Sequence, residues 1–125
     1  MSKADVFSFK VRKPVRFSHH PLPGYVIKSK IWIEKDGELF LRGGRVMLLE
    51  RIDELGSIAA AAKSMGLGYR NAWLWVEAMN RLAPLPLVEK ATGGIGGGYA
   101  RLTDEGRKVV ADYKELTERF QSLVE

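Results

Sequence analysis

Residues 56–81 read GSIAAAAKSMGLGYRNAWLWVEAMNR, and they contain two predicted helices separated by a tight turn. Ser57 is a favoured N-cap residue and predicts a short, alanine-rich helix. Glycines in the turn at 66–68 precede a second predicted helix over 69–81. Small side chains at 60–62 let two helices pack closely, which is typical of a helix-turn-helix whose second helix enters the DNA major groove.

The second predicted helix has an apolar stripe and a polar face. Ala72, Val76 and Met79 recur at helical spacing and form the predicted buried stripe. We expect Trp73 in the core beside them, with stacking on a DNA base as the alternative. The alternative interpretation is three ordinary core helices that bind nothing, because alanine-rich helices are common. The opposite face carries Arg70, Leu74, Glu77 and Arg81.

A β-hairpin and a further helix are predicted before this pair. Ile31 and Ile33 lie in an alternating segment, and Asp36-Gly37 suits a two-residue turn before residues 39–41 return. The helix that follows is expected to end at Gly56. Its expected core-facing residues are Val46, Leu48, Leu49, Ile52 and Leu55.

A glycine-rich loop and a long helix are predicted in the last third of the chain. The loop over 92–98 contains five glycines and lies between extended segments at 87–89 and 99–102. Thr103 is expected to cap the last helix. The apolar seam of that helix is Val109, Tyr113, Leu116, Phe120 and Leu123.

This order predicts an α+β fold, mainly α: a winged helix-turn-helix with an N-terminal β-hairpin and a long C-terminal helix. We expect the seam on the last helix to form a homodimer, although it could instead cover the core of its own domain. A protein that binds a palindrome needs two DNA-binding units about one turn of DNA apart, and a dimer supplies that geometry.

The composition fits one small domain with a polyanionic partner. The chain has 125 residues, of which 46% are hydrophobic, and its net charge is +5. Residues 1–30 contain seven basic residues and one acidic residue. We therefore expect a basic, proline-containing extension over 1–28, either a solvated tail or a nucleic-acid arm, and one DNA-binding domain over 29–125.

Other functional classes are disfavoured by what the sequence lacks. The absence of cysteine argues against disulfide scaffolds, thiol catalysis and cysteine-ligated zinc. No apolar run approaches the roughly 20 residues of a membrane span, and no secretory signal opens the chain, so a cytoplasmic protein is expected. The loop at 93–98 matches no nucleotide-binding motif, and His19-His20 lacks metal-ligand spacing. We therefore expect no enzyme activity, metal or cofactor.

Two stretches carry a family resemblance over about residues 29–123. The first is Gly56-Ser57-Ile58 with Ala60-Ala61-Ala62-Lys63, then Gly66, Tyr69, Ala72-Trp73 and Glu77-Ala78-Met79-Asn80. The second is LVEKATGGIGGG at 87–98, followed by Ala100-Arg101-Leu102-Thr103 and Gly106. Together they resemble the DNA-binding domain of the ModE-type molybdate-dependent transcriptional regulators. The resemblance implies a LysR-like winged helix-turn-helix, a symmetric dimer and a palindromic operator on double-stranded DNA.

Two departures from that family limit the resemblance. Full-length molybdate sensors of this type continue into oxyanion-binding domains, whereas this sequence stops at Glu125; we expect no oxyanion sensing by this chain. Leu74 and Trp75 stand where the family suggests more polar side chains. Leu74 either meets thymine methyl groups or packs on a partner protein, so the operator sequence does not transfer.

Candidate base contacts lie at the amino end of the predicted recognition helix. Tyr69, Arg70 and Asn71 occupy the end that approaches base edges in helix-turn-helix docking. Arg70 suits guanine and Asn71 suits adenine, although Asn71 could instead make a helix-start hydrogen bond. The alternative function is a winged-helix protein-interaction module, with Leu74 and Trp75 as its exposed patch.

Candidate phosphate contacts surround the motif and the predicted wing. Ser57 either caps its helix or donates to a phosphate, and wing glycines let backbone amides approach DNA without a side-chain clash. The candidates are Ser57, Lys63, Lys90, Thr92, Gly94, Gly96, Gly97 and Arg101. The predicted function is that of a sequence-specific, DNA-binding transcriptional regulator.

Overall fold

The computed structural model describes residues 23–91 and 98–124. Four helices and two small antiparallel sheets make up this part of the chain, and helix predominates, which confirms the mainly α form of the predicted α+β class. In chain order the elements are β1 (Ile33–Lys35), β2 (Glu38–Leu41), α1 (Gly43–Leu55), α2 (Ile58–Ser64), α3 (Tyr69–Leu82), β3 (Val88–Ala91), β4 (Tyr99–Leu102) and α4 (Asp104–Ser122).

Two predicted features lie partly outside the described residues. Most of the basic extension, including His19-His20, lies outside the described residues, as do residues 92–97 of the glycine-rich loop. Within the described ranges, no helix is both long and apolar enough to cross a membrane.

β1 and β2 form the predicted hairpin around a two-residue turn. Both turn residues have positive φ, 51° at Asp36 and 81° at Gly37, which is the backbone geometry of a type I′ turn. Lys35 pairs with Glu38 directly beside the turn. Leu41 at the end of β2 is fully buried, so the hairpin is joined to the core through its second strand.

Local caps separate α1 from α2 as predicted. Gly56 has a φ of 78°, and its N–H donates to the Ile52 carbonyl oxygen at 2.8 Å, which ends α1. The Ser57 Oγ accepts a hydrogen bond from the Ala60 N–H at 3.0 Å and starts α2. The two helices therefore succeed each other with a break of only two residues.

α2 and α3 pack against each other through small side chains. Ala61, Ala62 and Ala72 are buried, whereas Ala60 is only half-buried. The turn between the helices includes Gly66, whose φ of 65° lies in the left-handed region that favours glycine. Short side chains at the contact let the two helix backbones approach closely.

One apolar core joins the four helices and both sheets. Leu55 was expected in this core but is exposed. It follows the helical spacing of Leu48, yet it is the last residue of α1, where no described element covers it. The most deeply buried large side chains are Leu41, Leu48, Leu49, Ile52, Val76, Met79, Leu87 and Val109.

β3 and β4 form an antiparallel pair that Asn80 ties to α3. The Asn80 Nδ2 donates to the Val88 carbonyl oxygen at 3.1 Å, and its Oδ1 accepts from the N–H groups of Leu87 and Val88. Val88 pairs with Leu102 across the sheet. The strands that flank the glycine-rich segment are therefore held against the predicted recognition helix.

α4 packs against the chain's own core. Val109, Tyr113 and Leu116 are buried, whereas Phe120 is 39% exposed. The predicted seam therefore serves its own domain along most of its length. Thr103 caps this helix as expected, because its Oγ1 accepts from the Gly106 N–H at 3.0 Å.

The segment before β1 is attached to the end of α4. The Tyr113 hydroxyl donates to the Ile31 carbonyl oxygen at 2.8 Å. The Gln121 side chain accepts from the Ser29 N–H at 2.7 Å and donates to the Ile27 carbonyl oxygen at 2.9 Å. Residues 27–31 thus belong structurally with the helical body.

Candidate nucleic-acid interface

α3 presents an exposed amino end above a buried stripe. Its N-cap is Gly68, which has no side chain to cap the first turn. Tyr69, Arg70 and Asn71 are all exposed there, and the predicted stripe of Ala72, Val76 and Met79 is confirmed as buried. The first-turn N–H groups and three polar side chains therefore face outward together.

Two of these side chains are available for an external partner. Among the described residues, Asn71 has no side-chain hydrogen-bond partner, so the alternative helix-start hydrogen bond is not formed. Arg70 likewise has no carboxylate within 4 Å in this part of the chain. Leu74, one turn further along, is exposed as expected. A guanidinium, an amide and an apolar side chain thus share one outer face of α3.

Trp73 is not a core residue, contrary to the prediction. It lies about 100° around the helix from Ala72, and this rotation takes it off the buried stripe and leaves it 41% exposed. The Lys90 ammonium lies 5.1 Å from the centroid of its ring system. Lys90 also forms an ion pair with Glu77, one turn beyond Trp73 on α3. These three residues are the Trp73–Glu77–Lys90 cluster, which joins α3 to β3.

Trp75 does not form an exposed patch with Leu74. It is partly buried against the core, and its ring lies close to the backbone of Gly44 in α1. The Arg45 guanidinium lies 5.9 Å from its ring centroid and donates to the Leu39 carbonyl oxygen at 2.8 Å. Burial lowers the pKa of Arg45 from its ordinary value, and the nearby Arg42 charge adds to this effect. The expected Leu74–Trp75 surface is therefore reduced to Leu74.

Arg81, at the far end of the same face, is held by the hairpin. Its Nη2 lies 2.6 Å from Oε2 of Glu38 in β2. The hydrogen bond and the charge of Arg81 lower the pKa of Glu38, and the same contact raises the pKa of Arg81. Arg81 thus links α3 to the hairpin, whereas Arg70 stays unpaired among the described residues.

The candidate phosphate contacts differ in their surroundings. Lys63 is exposed at the end of α2 and has no carboxylate within 4 Å among the described residues. Arg101 in β4 is exposed but pairs with Glu89 at 3.2 Å. Ser57 is a helix cap, since its Oγ accepts from the backbone. Thr92, Gly94, Gly96 and Gly97 lie outside the described residues.

Two exposed aromatic residues were missing from the predicted site. Trp73 is one, and Tyr99 at the start of β4 is the other. Strand alternation could have identified Tyr99, because Ala100 and Leu102 point inward while Tyr99 and Arg101 point outward. Helical spacing places Trp73 about 100° from Ala72, at the edge of the buried stripe, so its exposure depends on the packing of neighbouring elements.

The chain is similar to bacterial molybdenum-related proteins, although no protein-family model matches it. It is 41% identical over 97 residues to the molybdenum transport protein ModE of Azotobacter vinelandii, covering 78% of this chain and 36% of that protein. It is 43% identical over 83 residues to the transcriptional regulator ModE of Haemophilus influenzae, covering 66% and 32%.

A third relative is named as a DNA-binding regulator. The DNA-binding transcriptional dual regulator ModE of Escherichia coli K12 is 42% identical over 81 residues, covering 65% of this chain and 31% of the relative. The similarity to ModE-named proteins is thus confirmed. The chain spans about a third of the length of these relatives.

Proposed function

We propose that this chain is a sequence-specific, double-stranded DNA-binding transcriptional regulator of the winged helix-turn-helix type. The observation that carries this proposal is the amino end of α3, where Tyr69, Arg70 and Asn71 face outward beside a turn that follows α2. In this proposal α3 enters the major groove, and the glycine-rich segment between β3 and β4 follows the flanking backbone. The regulator names of the relatives support the same class and a non-enzymatic role.

The base contacts follow from the chemistry of three side chains. Arg70 donates two hydrogen bonds to guanine, and Asn71 makes a bidentate contact with adenine. Leu74 packs on a thymine methyl group. Each bidentate contact contributes about 1–3 kcal/mol of discrimination against the wrong base.

The backbone contacts come from both sides of α3. Cationic and polar groups bind phosphate without regard to sequence and set the register of the protein on the duplex. Tyr69, the first residue of α3, is a further proposed DNA contact. The proposed phosphate contacts are Ser57, Lys63, Lys90, Thr92, Gly94, Gly96, Gly97 and Arg101.

We further propose that two copies bind a palindromic operator as a homodimer through the end of α4. Most of the α4 seam is buried against the core of its own chain. The proposed dimer contact therefore consists of Phe120 and its neighbours. Phe120 lines an apolar groove of about 620 Å³ together with Ile31, Ile33 and Leu116. Trp32, on the same groove, is 61% exposed. Burial of two such faces against each other would remove large aromatic surfaces from water.

A selection experiment with a salt series tests the DNA-binding function. Random-sequence duplexes are enriched for binding, and the affinity for the selected and unselected duplexes is measured at increasing salt. We expect a common sequence with two related halves, and an affinity whose logarithm falls with log salt by about 0.9 per phosphate contact. Failure to enrich any sequence would overturn the operator-binding proposal and favour a protein-interaction module.

Arg70→Ala identifies the base-reading residue within that experiment. We expect this variant to lose discrimination between the selected and unselected duplexes by about ten- to a hundredfold, because the bidentate contact is lost. Arg107→Ala is the matched control, since it removes an exposed arginine from the first turn of α4, away from the Phe120 contact. If Arg70→Ala keeps the full selectivity, Arg70 does not contact a base.

A further inference from the structure

We infer that Glu77 is a built-in competitor of the DNA backbone for Lys90, and that it lowers the affinity of the protein for every duplex. The inference rests on the proposed DNA-binding function and concerns the regulation of the same surface. Its basis is the Trp73–Glu77–Lys90 cluster, which lies where α3 meets β3.

The cluster holds a cation at the edge of the proposed wing. Lys90 is the third residue of β3, two positions before the glycine-rich segment. Its ammonium is paired with the Glu77 carboxylate and lies 5.1 Å from the Trp73 ring centroid. Trp73 and Glu77 are four residues apart on α3, so both project from one side of the helix toward the strand.

A phosphodiester would need the same ammonium that Glu77 occupies. Both groups are oxygen anions that accept hydrogen bonds from lysine, and the ammonium is a compact point charge. When Lys90 turns to a phosphate, the Glu77 carboxylate loses its partner and faces a polyanion. Binding of Lys90 to DNA therefore breaks an existing ion pair, which weakens the net binding.

Trp73 keeps the ammonium at this location in either state. A cation above an indole ring is attracted by the ring quadrupole, and this attraction does not depend on which anion lies on the other side. Lys90 thus exchanges one anion for another without leaving the ring. Trp73 is a positioning residue in this arrangement.

The competition applies to the wing side and spares the base-reading end of α3. Arg101 on β4 is also paired with a carboxylate, that of Glu89. Arg70, by contrast, has no carboxylate within 4 Å among the described residues. Since phosphate contacts carry no sequence information, releasing Lys90 strengthens binding to selected and unselected duplexes by the same factor.

A double-mutant cycle between Glu77 and Lys90 tests this inference. Fluorescence anisotropy measures binding of a labelled mixed-sequence duplex at about 150 mM salt, where charges more than roughly 8 Å apart are largely screened. We expect Glu77→Gln to tighten binding about two- to fivefold, the size of an exposed ion pair. In the Lys90→Met background the same change should tighten binding less, because no ion pair is left to oppose the contact with DNA.

A matched control separates competition from a general charge effect. Glu50→Gln removes the same charge and breaks another exposed glutamate–lysine pair, with Lys114, between α1 and α4. We expect it to leave affinity nearly unchanged. Glu77→Ser serves as a second neutral variant, and thermal melting checks that each variant is folded.

The possible results separate the competitor role of Glu77 from the proposed DNA-binding function. Equal tightening by Glu77→Gln in both Lys90 backgrounds, or no tightening at all, overturns the competitor role and leaves DNA binding intact. If the unaltered protein binds neither the mixed-sequence duplex nor any selected duplex, the proposed function fails, and the competitor role fails with it.

Discussion

Asn80 shows how one side chain positions the proposed interface. Its amide satisfies three backbone groups, the N–H groups of Leu87 and Val88 and the carbonyl of Val88. These groups lie where the chain leaves the turn after α3 and enters β3. A buried backbone group without a partner is costly, so this single amide fixes the distance between α3 and β3, the strand that precedes the glycine-rich segment.

Asn80→Ala is expected to lower the free energy of unfolding by about 2–3 kcal/mol, because it leaves backbone donors unsatisfied. Urea unfolding followed by circular dichroism measures the loss. Asn71→Ala on the same helix is the control, with an expected change within about 0.5 kcal/mol, since its side chain is exposed and has no partner among the described residues. Equal losses in the two variants would contradict the role of Asn80.

Gly106 is required by a close backbone contact. A Cβ atom at this position would lie 2.3 Å from the Leu87 carbonyl oxygen. We expect Gly106→Ala to destabilise the fold by about 2 kcal/mol or more, because α4 must move away from the turn before β3.

Gly43→Ala provides the comparison for Gly106→Ala. A Cβ at Gly43 meets nothing within 4 Å, and its backbone φ is not positive. This variant should gain up to about 1 kcal/mol, because alanine restricts the unfolded chain. Thermal melting of both variants gives the difference, and a fully stable Gly106→Ala protein would show that the Leu87 carbonyl leaves room for a Cβ atom at this position.

At the scale of elements, α3 is joined to the hairpin by charge as well as by packing. The Arg81–Glu38 pair connects the carboxyl end of α3 to β2. Because Arg81 lowers the pKa of Glu38 in the folded state, the pair stabilises the fold above the unfolded-state pKa of the glutamate. That contribution is lost as pH falls through the folded-state pKa.

Glu38→Gln should therefore be less stable than the unaltered protein near neutral pH, and the difference should vanish in strong acid. Urea unfolding at a series of pH values below 7 measures it. The control is Glu118→Gln, whose side chain has no ion-pair partner among the described residues. A stability difference for Glu38→Gln that stays constant from neutral to acidic pH would show that the ion pair is not its source.

Local signals account for most of what could be predicted at this scale. The boundaries at Gly56, Ser57 and Thr103 depend on caps that act within four residues, so the sequence is sufficient to locate them. The exposures of Leu55 and Trp73 depend on which distant element covers each helix face. Periodicity gives the angle of a residue around a helix and does not identify its neighbour.

The proposed site was predictable to a similar extent. Exposure of Arg70, Asn71 and Leu74 follows from helical spacing relative to the buried stripe. The pairing of Lys90 with Glu77 does not, since it joins residues 13 positions apart in different elements. Such contacts depend on how Asn80 sets the strand against α3, which only the folded structure specifies.

At the scale of the whole molecule, the end of α4 is the proposed dimer contact. Phe120→Glu is expected to convert a dimer into a monomer without unfolding it, because a charge in an apolar interface opposes association while the side chain is already 39% exposed in one copy. Analytical ultracentrifugation over a concentration series measures the change.

Leu85→Glu is the control for that experiment. It also places a charge at an exposed apolar residue, but at a position outside the Phe120 groove. Its sedimentation should match that of the unaltered protein. If the unaltered protein sediments as a monomer at every concentration, the proposed dimer is wrong.

The attachment of residues 27–31 to α4 has a consequence for the connectivity of the chain. The Ile27 carbonyl oxygen lies 2.9 Å from the Gln121 side chain, across 94 positions of sequence. A short linker could therefore join residue 124 to residue 27 and close the fold into a ring. The ring could then be opened at the Asp36-Gly37 turn without interrupting a helix. The fold therefore allows a circular permutation that keeps every core contact.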